Sequence, residues 1–241
     1  MARNGARQGR GNGAGRRAEI LDVAANVFAR MGFVAATVRD IGDEAGILSG
    51  SLYHHFESKD AILEELLRPF LDELRATYDA IAQSDAPPGE QVQQLVRAVY
   101  QLVADKSVLV TILQNEFSYL RSQPRFAFVQ EADRAVRASW LAVLEAGQAD
   151  GTFRSDLDAR LVYRGLMGAA LSAVRWFHPR EQSDVDILVD TQVRLLLGGL
   201  LTPEADVALV SPAGQATKPA GKPAARSAKR TTKSSAKSSK R

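Results

Sequence analysis

The side chains able to do chemistry are few, and their spacing argues against catalysis. The chain has no cysteine and three histidines, His54, His55 and His178. Two are adjacent and the third precedes Pro179, so no set has metal-site spacing, and neither metal nor cofactor is expected. Carboxylates are abundant but scattered, and a pair such as Glu64-Glu65 reads as a solvated helix face. No GxSxG elbow, Walker loop or strand-led glycine loop occurs, so no enzyme is expected. The informative stretch is instead GSLYHHF at 50–56. At 100° per residue Leu52 and Phe56 share one face and must point into a core, which leaves Gly50, Ser51, Tyr53 and His54 away from it. A solvated face normally carries Glu and Lys. Hydroxyls, an imidazole and a glycine suit close approach to a duplex: Ser51 and His54 can reach base edges or phosphates, and Tyr53 can donate to a phosphate. A plain polar surface helix is the alternative reading.

The elements that must present this face are short helices around a glycine turn. Thr37 is a good N-cap with Asp40 in the first turn, although Glu or Gln would close a capping box better. Val38, Ile41 and Ala45 fall on one helical face. Gly46 sits where a left-handed residue stops a helix, and Ile47 and Leu48 follow as apolar plugs. Ser49 is expected to cap a second helix over 50–56, and Ser58 a third from Lys59. This is the spacing of a helix-turn-helix. Upstream, Ile20, Ala24, Val27, Phe28 and Met31 form one apolar stripe that Gly32 ends.

Together, RRAEILDVAANVFARMGF and TVRDIGDEAGILSGSLYHHFESK closely resemble the DNA-binding module of TetR-family transcriptional repressors, over roughly residues 16–66. The resemblance implies an all-α homodimer with a three-helix N-terminal head, a larger ligand-binding domain, and release from operator DNA by a small molecule. In family members, residues matching Thr37, Ser49, Ser51, Tyr53, His54 and Lys59 touch DNA. Arg39 and Gly50 complete the candidate set.

Composition fits this organisation. The 241 residues are 45% apolar, with no run of 18 apolar residues and no signal-type leader, so a soluble, cytoplasmic and nucleoid-associated protein without a membrane partner is expected. The net charge of +3 is unevenly placed. Residues 1–17 hold five arginines and no acid, and 207–241 hold nine Lys or Arg and no acid. Residues 18–206 therefore carry 17 basic against 28 acidic residues, a net of −11. Residues 1–15 read as a disordered basic arm and 207–241 as a disordered Lys/Ala/Ser-rich tail. The tail either adds sequence-blind affinity for phosphates or only solubilises. A non-specific nucleoid-type binder acting through such tails is the rival reading of function.

Domains are expected at 16–60 for the head and 61–203 for ligand binding and dimerisation. The latter is a six-helix bundle, because helical patterns run from Ser58 to about Ala82, then over 90–104, 106–121, 124–149, 157–177 and 184–200, with no convincing strand. Pro69 either kinks the first of these or merely shapes packing. The last two helices are apolar on more than one face, and the resemblance places the homodimer interface there. Polar or aromatic groups within apolar helices are candidate ligand contacts, each with ordinary packing as its alternative: Tyr100, Gln114, Asn115, Tyr119, Trp140, Tyr163, Arg175 and Trp176. SQPRF at 122–126 and FRSDLDARLVYR followed by VRWFHP within 153–179 look like the subgroup of the family that represses late cholesterol-ring degradation and senses a steroid-fragment coenzyme A thioester. Where that subgroup carries an arginine and a tryptophan, this chain has Met167 and Leu171. The expected effector is accordingly a CoA thioester or another large apolar acid.

Overall fold

The computed structural model describes residues 9–201, with side chains from Gly15 onward. The expected basic tail at 207–241 and the arm up to position 8 lie outside the described residues. From Gly9 the arm departs from expectation, because the backbone there already belongs to α1 (Gly9–Met31). Once the packed stripe of Ile20, Ala24, Val27 and Phe28 has nucleated a helix, each further residue adds a backbone bond. Met31, expected in that stripe, is instead 42% exposed.

Two short helices follow. Thr37 caps α2 (Val38–Ala45) through a full capping box: its Oγ1 accepts from Asp40 N at 3.2 Å, and Asp40 Oδ2 accepts from Thr37 N at 2.8 Å. Aspartate thus closes the box that Glu or Gln was expected to close better. Gly46 ends α2 with φ +67°, a conformation that favours glycine. Gly42 serves a different need, since a Cβ there would lie 2.9 Å from Ile47 O, where the turn crosses α2.

The second helix of the motif is shorter than its spacing predicts. α3 spans only Ser49–Leu52, and Tyr53–His55 continue as a turn in which His54 N donates to Ser51 O and His55 N to Leu52 O. Leu52 and Phe56 are both buried all the same, because a tight turn preserves their spacing. Ser49 is not the cap; Leu48 holds that position and makes no side-chain bond.

The remainder is six α-helices: α4 (Lys59–Ala82), α5 (Pro88–Asp105), α6 (Ser107–Ser122), α7 (Ala127–Ala149), α8 (Ala159–Ser172) and α9 (Gln182–Leu200). Ser58 caps α4 as predicted, accepting from Ala61 N at 3.1 Å. Pro69 sits inside that continuous helix. Short 3-10 turns at Pro124–Phe126 and Ala173–Arg175 take up the ends of two expected helices. Among the described residues no strand forms, only an isolated bridge between Phe153 and Leu201. The head has no separate core: Phe28, Phe33, Ile41, Leu52 and Phe56 share one apolar cluster with Leu63, Leu67 and Phe70 of α4 and with Ile112 and Leu120 of α6. A second cluster joins α5, α7, α8 and α9.

Candidate nucleic-acid interface and ligand chamber

The head is assembled from α1 outward by two arginines. Arg16 donates to Ala45 O at 2.8 Å, satisfying a carbonyl at the end of α2. Arg17 donates to His55 O, pairs with Glu65 of α4 through two bonds of 2.9 and 2.5 Å, and lies 4.1 Å over the Phe56 ring. Arg16 thus holds the end of α2 before α3, and Arg17 the turn after it. This rigidity leaves Thr37, Arg39, Ser49, Gly50, Tyr53 and His54 exposed, with Ser51 half-buried among them. Arg39 makes only a loose pair with Asp43 at 3.7 Å, so its charge remains available. The Thr37 hydroxyl and N–H hold the Asp40 carboxyl below its usual range, so the cap stays ionised.

Lys59 departs from the expectation. Its Nζ donates to Phe33 O and Ala36 O, each at 2.6 Å, and lies 4.4 Å over the Phe33 ring. The ammonium faces the α1–α2 loop. Burial lowers its pKa, with Asp60, Glu116 and Asp40 pulling it back. From the other side Glu116 of α6, 8% exposed, accepts from Phe33 N at 2.8 Å, and Tyr119 OH donates to Asp60 Oδ1 at 3.3 Å. Loop 32–37 is thus held by the first residue of α4 and by the middle of α6.

Leu48 corrects a second expectation. Ile47 packs into the core, but Leu48 is 81% exposed. A leucine also costs about 1 kcal/mol at an N-cap relative to Ser, Asp or Asn.

A cavity of about 380 Å³ lies within the bundle. α4 supplies Phe70, Leu74 and Tyr78; α6 supplies Leu113, Gln114 and Phe117; α8 supplies Tyr163, Met167 and Leu171. Asp133 of α7 is its one charged wall residue, and it pairs with Arg137 at 2.6 Å. Gln114 donates to Leu171 O at 2.8 Å. A smaller cavity of about 180 Å³ shares Phe70, Leu74, Tyr78 and Leu102, and its rim carries Glu73, Asp105 and Lys106.

Of the expected ligand contacts, Gln114, Met167 and Leu171 line the chamber, as does Tyr163. The others do not. Tyr119 works at the head junction, its ring against Phe33 and Phe126. Asn115 points out of α6 and is exposed. Tyr100 and Trp140 are packed in the second apolar cluster. Arg175 and Trp176 are exposed where the α8 pattern ends in its 3-10 turn. Most of the wall, including Phe70, Leu113 and Phe117, has the same apolar periodicity as core, so no sequence signal separated it. Glu116 did carry one: it falls midway between Ile112 and Leu120, on the buried stripe of α6.

α8 and α9 also present an unpartnered face. Leu161, Ile187 and Leu195 are each about two-thirds exposed, at 65%, 66% and 68%. A Cβ at Gly165, Gly168, Gly198 or Gly199 would meet nothing within 4 Å, so nothing within the protomer requires glycine there.

Residues 20–66 match the tetR family of bacterial regulatory proteins, and residues 85–200 match the tetracyclin repressor-like C-terminal domain. The HTH-type transcriptional repressor KstR2 of Rhodococcus jostii is 43% identical over 189 residues, covering 78% of this chain and 93% of that one. The solved structure of the ketosteroid transcriptional regulator KstR2 of Mycobacterium tuberculosis superposes with a TM-score of 0.73 at 43% identity, covering 78% of this chain and 95% of that one. AibR in complex with isovaleryl coenzyme A and operator DNA shares the fold, with a TM-score of 0.66 at 20% identity over 76% of this chain and 99% of that one.

Proposed function

The chain belongs to the tetR family of bacterial regulatory proteins, and we propose that it is a dimeric transcriptional repressor that an effector releases from a palindromic operator. The effector is a CoA thioester or another large apolar acid, in lipid or sterol catabolism. Thr37, Arg39, Ser49, Gly50, Ser51, Tyr53 and His54 form the DNA face; Lys59 supports it by bracing loop 32–37. One head offers few contacts, and two heads about 34–36 Å apart would match successive major grooves. The exposed apolar face of α8 and α9, with its open glycines, supports dimerisation there.

One observation carries the ligand response. α6 turns Leu113, Gln114 and Phe117 to the chamber and Glu116 to the backbone of Phe33. A ligand that shifts α6 must therefore shift or release the loop leading into the capped start of α2. It acts only through different affinities for the two states, a coupling of about 1–3 kcal/mol or roughly 5–150-fold.

The test starts from a duplex selected by the full chain out of a randomised pool. Acyl-CoA and steroid-CoA thioesters, the matching free acids and free coenzyme A are titrated against that duplex by anisotropy, with melting shifts measured without DNA. Thioesters should lower duplex affinity and free coenzyme A should not; no change in either signal refutes the ligand reading. With Met167 and Leu171 in the wall, simple acyl chains should outrank steroid rings, and the reverse order would mean compensation elsewhere. Removing residues 1–15 and 207–241 should leave sequence preference intact. Loss of preference with the tails would favour the nucleoid-type binder.

A further inference from the structure

Leu48 breaks two local rules at one position. It is the N-cap of α3, with φ −64° and ψ 138°, yet offers no side-chain acceptor to the N–H groups it precedes. It is also the most exposed large apolar side chain among the described residues, at 81%, while its neighbour Ile47 is drawn inward. A Ser, Thr, Asp or Asn would cap the helix and avoid exposing an isobutyl group. Rules broken together without local compensation mark a functional position.

Its surroundings indicate which function. The N-terminal end of a recognition helix is the part that meets base edges, and Leu48 stands immediately ahead of exposed Ser49 and Gly50. Gly50 has open space where a Cβ would be, so no bulk beside Leu48 keeps a duplex away. The apolar group that the major groove presents is the 5-methyl of thymine. We infer that Leu48 determines operator specificity by packing against a thymine methyl in each half-site. This rests on the operator-binding reading above. A protein partner for Leu48 would have to occupy the same end of α3 as the duplex.

Thymine-to-deoxyuridine exchange tests the contact, because it keeps the base pair and removes only the methyl. In the duplex selected from a randomised pool by the full chain, thymines are exchanged one at a time and then symmetrically in both half-sites. Burying one methyl is worth about fourfold in affinity, and two about fifteenfold. Wild-type protein should lose about fourfold at one thymine per half-site and about fifteenfold at the symmetric pair. Leu48→Ala should bind the thymine and deoxyuridine duplexes alike at that position. Leu48→Ser, which restores a capping residue, should do the same, separating the contact from helix stability. Tyr53→Phe should keep the wild-type thymine preference. A wild-type protein indifferent to exchange at every thymine overturns the inference, as does a Leu48→Ala protein retaining every wild-type penalty. A pool that yields no selective duplex overturns the operator reading, and this contact with it.

Discussion

Replacing Lys59 by methionine separates a brace from a phosphate contact. Methionine keeps most of the stem and removes the ammonium, which donates 2.6 Å bonds to Phe33 O and Ala36 O and lies over the Phe33 ring. Hydrogen bonds to charged groups contribute about 1.5–3 kcal/mol each when one partner is removed. The group is only partly buried, so water replaces part of that loss, and the two bonds together are discounted to about 2 kcal/mol. For a folded body of this size that corresponds to a melting shift of about 4–8 °C downward. The loosened loop leads into the capped start of α2, so operator affinity should fall as well. The salt dependence should nonetheless keep its slope, because no phosphate contact has been removed. A lysine that neutralised one phosphate per head would instead flatten the slope by nearly 2 across the dimer, about 0.9 per contact. Thermal melting without DNA and duplex affinity across a salt series decide the matter. A Lys59→Met protein that melts like wild type and shows the flattened slope refutes the brace.

Other perturbations address the remaining parts. Tyr53→Phe should weaken binding to selected and random duplexes alike, whereas Ser51→Ala should change preference among bases, because phosphate contacts position and base contacts specify; equal effects of both on both duplexes would reject the assignment. Leu195→Glu places a charge on the exposed face of α9 and should yield monomers in analytical ultracentrifugation, with operator affinity lost while helical content by circular dichroism is unchanged; a variant that remains dimeric rules out this face. Leu113→Trp should fill part of the 380 Å³ chamber, abolishing the effector response in the anisotropy titration while duplex affinity without effector stays within about twofold; an undiminished response would place the ligand elsewhere.

The helix-turn-helix was largely legible because its signals are local. Thr37, Gly46 and Ser58 act through their own neighbours, and each takes the capping or turn role its type suits. The length of α3 was not legible, because Leu52 and Phe56 reach the core equally well from a helix or from the i→i−3 turn that forms. Lys59 is the sharper case. A lysine at the start of a helix beside a reading turn is equally compatible with a phosphate and with a set of carbonyls, and the carbonyls that loop 32–37 brings to it are set by the fold. The chamber was least legible. Its walls repeat the apolar stripes of α4, α6 and α8, and what distinguishes them from core is a volume left empty by residues distant in sequence. Polar and aromatic residue types were therefore a poor guide to the cavity wall: Tyr119 and Trp140 pack at the head junction and in the core.

The chemistry of the chamber limits which part of an effector it can enclose. Its one charged wall residue, Asp133, is negative and pairs with Arg137, which also lies against Tyr163 of the wall, so an enclosed carboxylate would find no unpaired cation among the lining residues. The rim of the adjoining cavity does not help, because Glu73 and Asp105 outnumber Lys106. Burying an uncompensated anion costs several kcal/mol, more than a typical allosteric coupling returns. The polar groups inside are neutral instead. Gln114 sits on the wall, and the fully buried Tyr78 hydroxyl there has only the Trp140 indole N–H beside it. Burial, with Tyr163 nearby, pushes the Tyr78 phenol up, so it remains a neutral donor. Neutral donors in an apolar box suit a carbonyl oxygen on a hydrocarbon body. Of the two proposed effector classes a thioester meets that demand more readily than a free acid, since esterification removes the charge from the end that enters. A chamber of about 380 Å³ lies at the small end of ligand pockets, so with a thioester as the effector the acyl or ring portion would enter and the phosphates of the coenzyme would stay in water. Discrimination among effectors then lies in the apolar body, where Met167 and Leu171 stand.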